Sequence, residues 1–121
     1  MLESIKHYLT AQGFNNIYID IMPDAEKQID AIGLLEWSAP VLQPVGEVTH
    51  YVQIQVRRTC YDNAKGICNN IMSVLDSGID EKLIRLSDNT YCICRPRRAP
   101  VIMERGSGYT TFYCEIAVWT N

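Results

Sequence analysis

Cys92 and Cys94 stand two residues apart in Thr90 to Arg95, a stretch that reads as a β-strand. Their thiols therefore fall on one side, where Cys114 from a neighbouring strand could join them. Convergent thiols suit a zinc ion or a redox couple. Structural zinc sites, however, bring ligand pairs from a tight turn with roughly two to four residues between them, and here a single residue intervenes. The two-residue spacer and the helix N-terminus that depress a thiol pKa are missing as well. The spacing favours packing in a core, where free cysteine behaves as a small hydrophobe. With Cys60 and Cys68 the chain carries five cysteines. An odd number without a secretory signal points to reduced thiols and away from a disulfide framework.

The other reactive side chains are dispersed. His7 and His50 lie far apart with no acidic or cysteine motif around them, and they read as surface residues. Asp20, Asp24, Glu26, Asp30, Asp80 and Glu81 fall along loops and element ends, where solvated carboxylates normally lie. The chain has no nucleophile elbow, phosphate loop or paired-histidine metalloprotease motif, and Gly106 and Gly108 belong to a hairpin turn. No catalytic, cofactor or metal site is expected. The one local concentration of charge is Arg95-Pro96-Arg97-Arg98-Ala99-Pro100, kept extended by its two prolines. It suits an acidic protein neighbour or solvent better than nucleic acid, because no aromatic residue is interleaved to stack on bases.

The elements that must carry these residues are legible from periodicity. Leu2, Ile5, Tyr8 and Leu9 recur at helical spacing before Gly13, which predicts an opening helix with a left-handed glycine cap. Ile17, Ile19 and Ile21 alternate with Tyr18 and Asp20 until Pro23, predicting a strand. Ala31 to Trp37 predicts another strand, and Ser38 to Thr49 reads as a loop with Pro40, Pro44 and Gly46. The clearest strand holds Val52, Ile54 and Val56 on one face against Tyr51, Gln53, Gln55 and Arg57 on the other. A second helix follows, capped by Asp62, with Ala64, Ile67, Cys68, Ile71 and Leu75 as its apolar stripe and an end at Ser77-Gly78. Leu83 to Leu86, Thr90 to Arg95, Pro100 to Glu104 and Tyr109 to Trp119 read as strands. The last two form a hairpin about Arg105-Gly106-Ser107-Gly108.

The expected fold is a single α+β domain over residues 1–121, with one mixed or antiparallel sheet and two helices on one face. The expected order is α-β-β-β-α-β-β-β. A length of 121 residues supports one core, and an apolar fraction of 47% with 21% charge suits a soluble globular chain. The chain lacks an apolar run long enough for a membrane span, and Glu3, Lys6 and His7 stand where a signal peptide would be apolar, so cytosolic synthesis is expected. A net charge of −3 argues against bulk affinity for nucleic acid.

The strand Tyr51 to Arg57, followed by a helix from Asp62-Asn63-Ala64 to Leu75, resembles the central strand and helix of the tail-terminator (minor capsid, tail-completion) proteins of long-tailed bacteriophages. The last third is similar too: a strand at Tyr91 to Arg95, then Pro100 to Glu104, a glycine-bearing turn at Gly106 and a long closing strand from Tyr109. The likeness spans nearly the whole chain. It implies a virion protein, encoded by a phage or a prophage and assembled in the bacterial cytoplasm. Its copies would close a hexameric ring at the head-proximal end of the tail. The ring would bind the last tail-tube protein, stop polymerisation and meet the head-completion or connector protein, with no membrane and no specific nucleic acid as partner. Subunit or tube contacts are expected in loops on the rigid sheet, at Pro40, Pro44, Gly46, Arg95, Arg97, Arg98, Arg105 and Ser107. The competing expectation is a small nucleic-acid- or protein-binding α+β module.

Overall fold

The computed structural model describes residues 1–36, 48–86 and 89–120, with the backbone of 41–42. Helix α1 spans Leu2–Ala11 and ends as its glycine requires: Gly13 takes φ +101°, which lets the Phe14 N–H reach back to the Leu9 carbonyl at 3.1 Å. Strands β1 (Ile17–Ile19), β2 (Ala31–Glu36), β3 (Val41–Leu42) and β4 (Val48–Arg58) precede helix α2 (Tyr61–Val74). Strands β5 (Ile84–Arg85), β6 (Tyr91–Gly106) and β7 (Tyr109–Thr120) follow it.

Among the described residues the architecture is α+β with two helices and one mixed sheet of seven strands. Six of them run in the order β1-β2-β4-β7-β6-β5, and β3 pairs with β4. Among the described pairs only β1 and β2 are parallel. The described elements match the expected order in part. The two-residue β3 makes four strands before α2, because Val41 and Leu42, inside the expected loop, pair with Thr49 and Val48. Thr90 to Arg95 and Pro100 to Glu104, read as separate strands, are one long β6. Its prolines are absorbed by register shifts between Pro96 and Arg98, Arg98 and Val101, and Ile102 and Glu104. The expected strand over Ile17 to Ile21 stops at Ile19, since Asp20 turns to φ +69° and Ile21 is 80% exposed.

β4 is the centre of the sheet. Its eleven residues pair with β7 from Val48 opposite Thr120 to Arg58 opposite Thr110, and its other side takes β2 and β3. Alternation then places Val52, Ile54 and Val56 beside Ile32 and Leu34 of β2 and Cys114, Ile116 and Val118 of β7. Ile5 and Leu9 of α1 and Ala64, Cys68 and Ile71 of α2 close over them in one buried cluster. Each fully buried Ile or Leu contributes about 1.5–3 kcal/mol. Asp62 does not cap α2: the N-cap is Cys60, without a side-chain hydrogen bond, and Asp62 sits in the first turn where it favours the helix dipole. After α2, Ser77 binds the sheet twice. Its N–H donates to the Cys94 carbonyl at 2.8 Å, and its Oγ accepts from the Cys94 N–H at 2.9 Å.

Candidate functional site

Strand β6 is protected along its first third only. Tyr91 and Cys92 pair with β5, Cys94 is held by Ser77, and Arg95 forms an ion pair with Glu81. From Pro96 to Gly106 the inner side is paired with β7, but among the described residues no strand covers the outer side. This outer edge is apolar as well as open: Val101 and Ile102 are each 38% exposed and Met103 is 51% exposed. Sheet edges of this kind are ready templates for another chain. Pro96, Pro100 and the register shifts limit which residues can offer N–H groups there.

The expected arginines all lie on this strand, and each is engaged. Arg97 stacks over the Tyr51 ring, 4.4 Å from its centroid, and Arg98 approaches Glu115 at 3.9 Å. Arg105 lies over Tyr61 at 5.3 Å, on the helix side of the sheet. The cluster is thus partly neutralised at Arg95 and Arg98 and desolvated on one face at Arg97 and Arg105. The sequence around the arginines offers no aromatic partner, yet the fold brings Tyr51 beneath Arg97 from two strands away. Pro40, Pro44 and Gly46 lie outside the described residues.

Ser107 lines a cleft of about 690 Å³ with Asp24, Ala25, Glu26, Ile29 and Tyr109. The cleft exists because the β1–β2 connection crosses the sheet face turned away from the helices. Arg57 secures that crossing. It is 8% exposed, and its guanidinium donates to the carbonyls of Ile29 and Gln28, both at 2.9 Å, and of Pro23, while lying 5.8 Å from the Tyr109 ring centroid. Asp24 and Glu26 are exposed on this segment. Asp20, Asp24 and Glu26 form no ion pair among the described residues.

The thiols divide into pairs. Cys92 and Cys94 are buried with their Sγ atoms 3.6 Å apart, while Cys114 joins Cys68 of α2 and not the Cys92–Cys94 pair. The hydrogen bond from its neighbour, then burial, pushes the Cys94 and Cys114 thiols up from their ordinary value, which keeps them neutral and poorly nucleophilic. Cys60 departs from the expected packing and is exposed at the start of α2. His7 is exposed, but His50 is not the surface residue its sequence context suggests. Its Nδ1 lies 2.5 Å from the Glu36 Oε1, across the β2–β4 pair, with the ring side chain 13% exposed. Among the described residues no three His, Cys, Asp or Glu side chains are arranged to hold a metal ion.

Two features had little signal in the sequence. Pro100-Val101-Ile102-Met103 is an unbroken apolar run, which by hydropathy reads as core. Its two flanking signals, the prolines at 96 and 100, are the ones that point to an edge. Arg57 sits in the polar half of an alternating strand, and nothing local distinguishes it from Gln53 or Gln55. No protein-family model matches the chain, and no curated protein matches its sequence.

Proposed function

We propose that this chain is an assembly protein of the tail-terminator kind: copies of it close into a ring on the end of a phage tail tube, halt polymerisation and offer the joint to the head connector. The observation that carries the reading is the outer edge of β6 from Pro96 to Gly106, which no described strand covers, with its apolar Val101, Ile102 and Met103 beside Arg97 and Arg98. An edge of this length can receive another protein, with Pro96, Pro100 and the register shifts limiting where its backbone can pair. The resemblance of β4, α2 and the β6–β7 hairpin to the terminator pattern supports the same reading, and so does a core filled by both helices, which leaves edges and turns for contacts.

The test is tube length. Added to polymerising tail-tube protein, the chain shortens tubes and is found at their ends by electron microscopy. Tubes of unaltered length with no bound chain contradict the proposal. A second reading draws on Arg97 stacked over Tyr51, with Tyr113 and Trp119 on the same sheet face. Aromatic rings and arginines on a sheet face can hold single-stranded nucleic acid. Steep salt-dependent binding of an oligonucleotide would favour that module; the net charge of −3 weighs against it.

A further inference from the structure

Cys92 and Cys94 take no part in the β6 edge. They lie on the helix side of the strand with their Sγ atoms 3.6 Å apart, and the two residues are 1% and 0% exposed. The sheet fixes their places: Cys92 pairs with Ile84 of β5 and Thr120 of β7, while Cys94 is bound at both its N–H and its carbonyl by Ser77. Tyr8 of α1 stands near both thiols. Tyr8, Ser77 and Ile84 also line a cleft of about 250 Å³, so the buried pair lies behind the wall of that cleft.

We infer that Cys92 and Cys94 bind one soft monovalent metal ion, copper(I) or silver(I), between their two sulfurs. Thiolates select soft ions of this kind. Such an ion is satisfied by two sulfurs in a line, whereas zinc asks for four ligands, and among the described residues no third His, Cys, Asp or Glu converges on the pair. Metal–sulfur bonds of about 2.3 Å would hold the sulfurs about 4.6 Å apart, an opening of about 1 Å that side-chain rotation supplies. A disulfide asks for the reverse, closure to about 2.05 Å. Alternate residues of a strand are about 6.6 Å apart, at the far end of the roughly 4.4–6.8 Å that a disulfide spans, so the spacing favours the ion over oxidation. Binding breaks two S–H bonds, forms two sulfur–metal bonds and releases two protons, with no change of oxidation state. The bridge then carries one negative charge. Ser77 Oγ accepts from the Cys94 N–H and keeps its own proton to donate, and the Tyr8 hydroxyl gives up only a long 3.5 Å bond to the Val74 carbonyl if it turns to sulfur. Lys82 and Arg85 on the cleft wall outnumber its one carboxylate, Asp76. An ion is far smaller than a thiol reagent, so metal uptake is compatible with slow alkylation of the same pair.

The probe is copper(I) itself, titrated without oxygen from a chromophoric chelator into the reduced chain carrying Cys60→Ala, which removes the exposed thiol. One ion per chain is expected, with an ultraviolet thiolate-to-copper band and two sulfur neighbours by X-ray absorption. C60A/C92A and C60A/C94A, each checked for a wild-type circular dichroism spectrum, lose the ion. C60A/C68A leaves the pair intact, keeps one ion with two sulfur neighbours, and carries the test where substitution within the pair harms folding. An adventitious ion only, seen as uptake that disappears with Cys60 or that folded C60A/C92A and C60A/C94A chains retain, overturns the inference. A folded C60A/C68A chain that takes up no copper(I), or that holds it with more than two sulfur neighbours, overturns it as well. The outcome is independent of assembly and leaves the ring reading untouched.

Discussion

Replacing Arg57 by Met keeps the length and most of the apolar stem of the side chain but removes every donor. In the native chain its guanidinium serves the carbonyls of Pro23, Gln28 and Ile29 from a site 8% exposed. A hydrogen bond from a charged group is worth about 1.5–3 kcal/mol. The three do not add, because the β1–β2 connection lies at the surface and its released carbonyls regain water. A net loss of about 2–4 kcal/mol is therefore expected. For a chain of this length that is a fall in melting temperature of about 8–15 °C. Arg57→Lys should fall between the two, since an ammonium keeps the charge but cannot spread over three acceptors as a planar fork does. Differential scanning calorimetry gives the size of the effect and hydrogen exchange gives its place. The Lys27 and Gln28 amides, which donate to the Asp24 carbonyl at 3.0 Å, should exchange much faster in the Met variant. A loss below about 1 kcal/mol with unchanged exchange of those amides would refute the assignment of Arg57 as the anchor of the segment.

In the native chain at neutral pH a thiol reagent should modify Cys60 alone, and Cys68, Cys92, Cys94 and Cys114 should react only after denaturation; two or more fast thiols contradict the packing described. Cys94 and Cys114 have folded-state pKa values above the ordinary 9.0, so the unfolded chain loses these protons first. Stability is then fully present below about pH 9 and declines as the pH rises beyond it, measurable by urea titrations at stepped alkaline pH; a flat profile there contradicts the raised thiols. Gly106→Ala would set a Cβ onto the Tyr109 ring and displace a ring whose hydroxyl donates to Glu104 at 2.8 Å. The displaced ring can swing outward, so the expected cost is about 1–2 kcal/mol by urea denaturation, and a wild-type midpoint would contradict the contact.

Elements whose sequence pattern and burial agree are legible in the sequence. Val52, Ile54 and Val56 alternate in β4 and are buried, and Ala64, Cys68, Ile71 and Leu75 repeat at helical spacing and are buried. Gly13 and Gly108 stand at positive φ where a helix end and a hairpin turn need them. What failed to show was decided by contacts distant in sequence. Ile21 continues an alternating pattern, but the crossing of the β1–β2 connection takes the chain away from the sheet at Asp20. Pro96 and Pro100 read as breaks that divide β6 into two expected strands, but a strand with one side uncovered by any described strand accommodates them. Arg97 with Tyr51, His50 with Glu36 and Cys114 with Cys68 are partnerships of the fold, and no local spacing announces them. By sequence Arg95, Arg97, Arg98 and Arg105 read as a charged loop and turn; they lie along one strand, a geometry at which the prolines hint and the charges do not.

The most direct measurement of the assembly reading is the native mass of the purified chain across a wide concentration range. One discrete closed oligomer, a hexamer above all, with nothing larger at the highest concentration, is the expected result. A monomer at every concentration, or an open series of ever larger species, would contradict a chain built to close a ring.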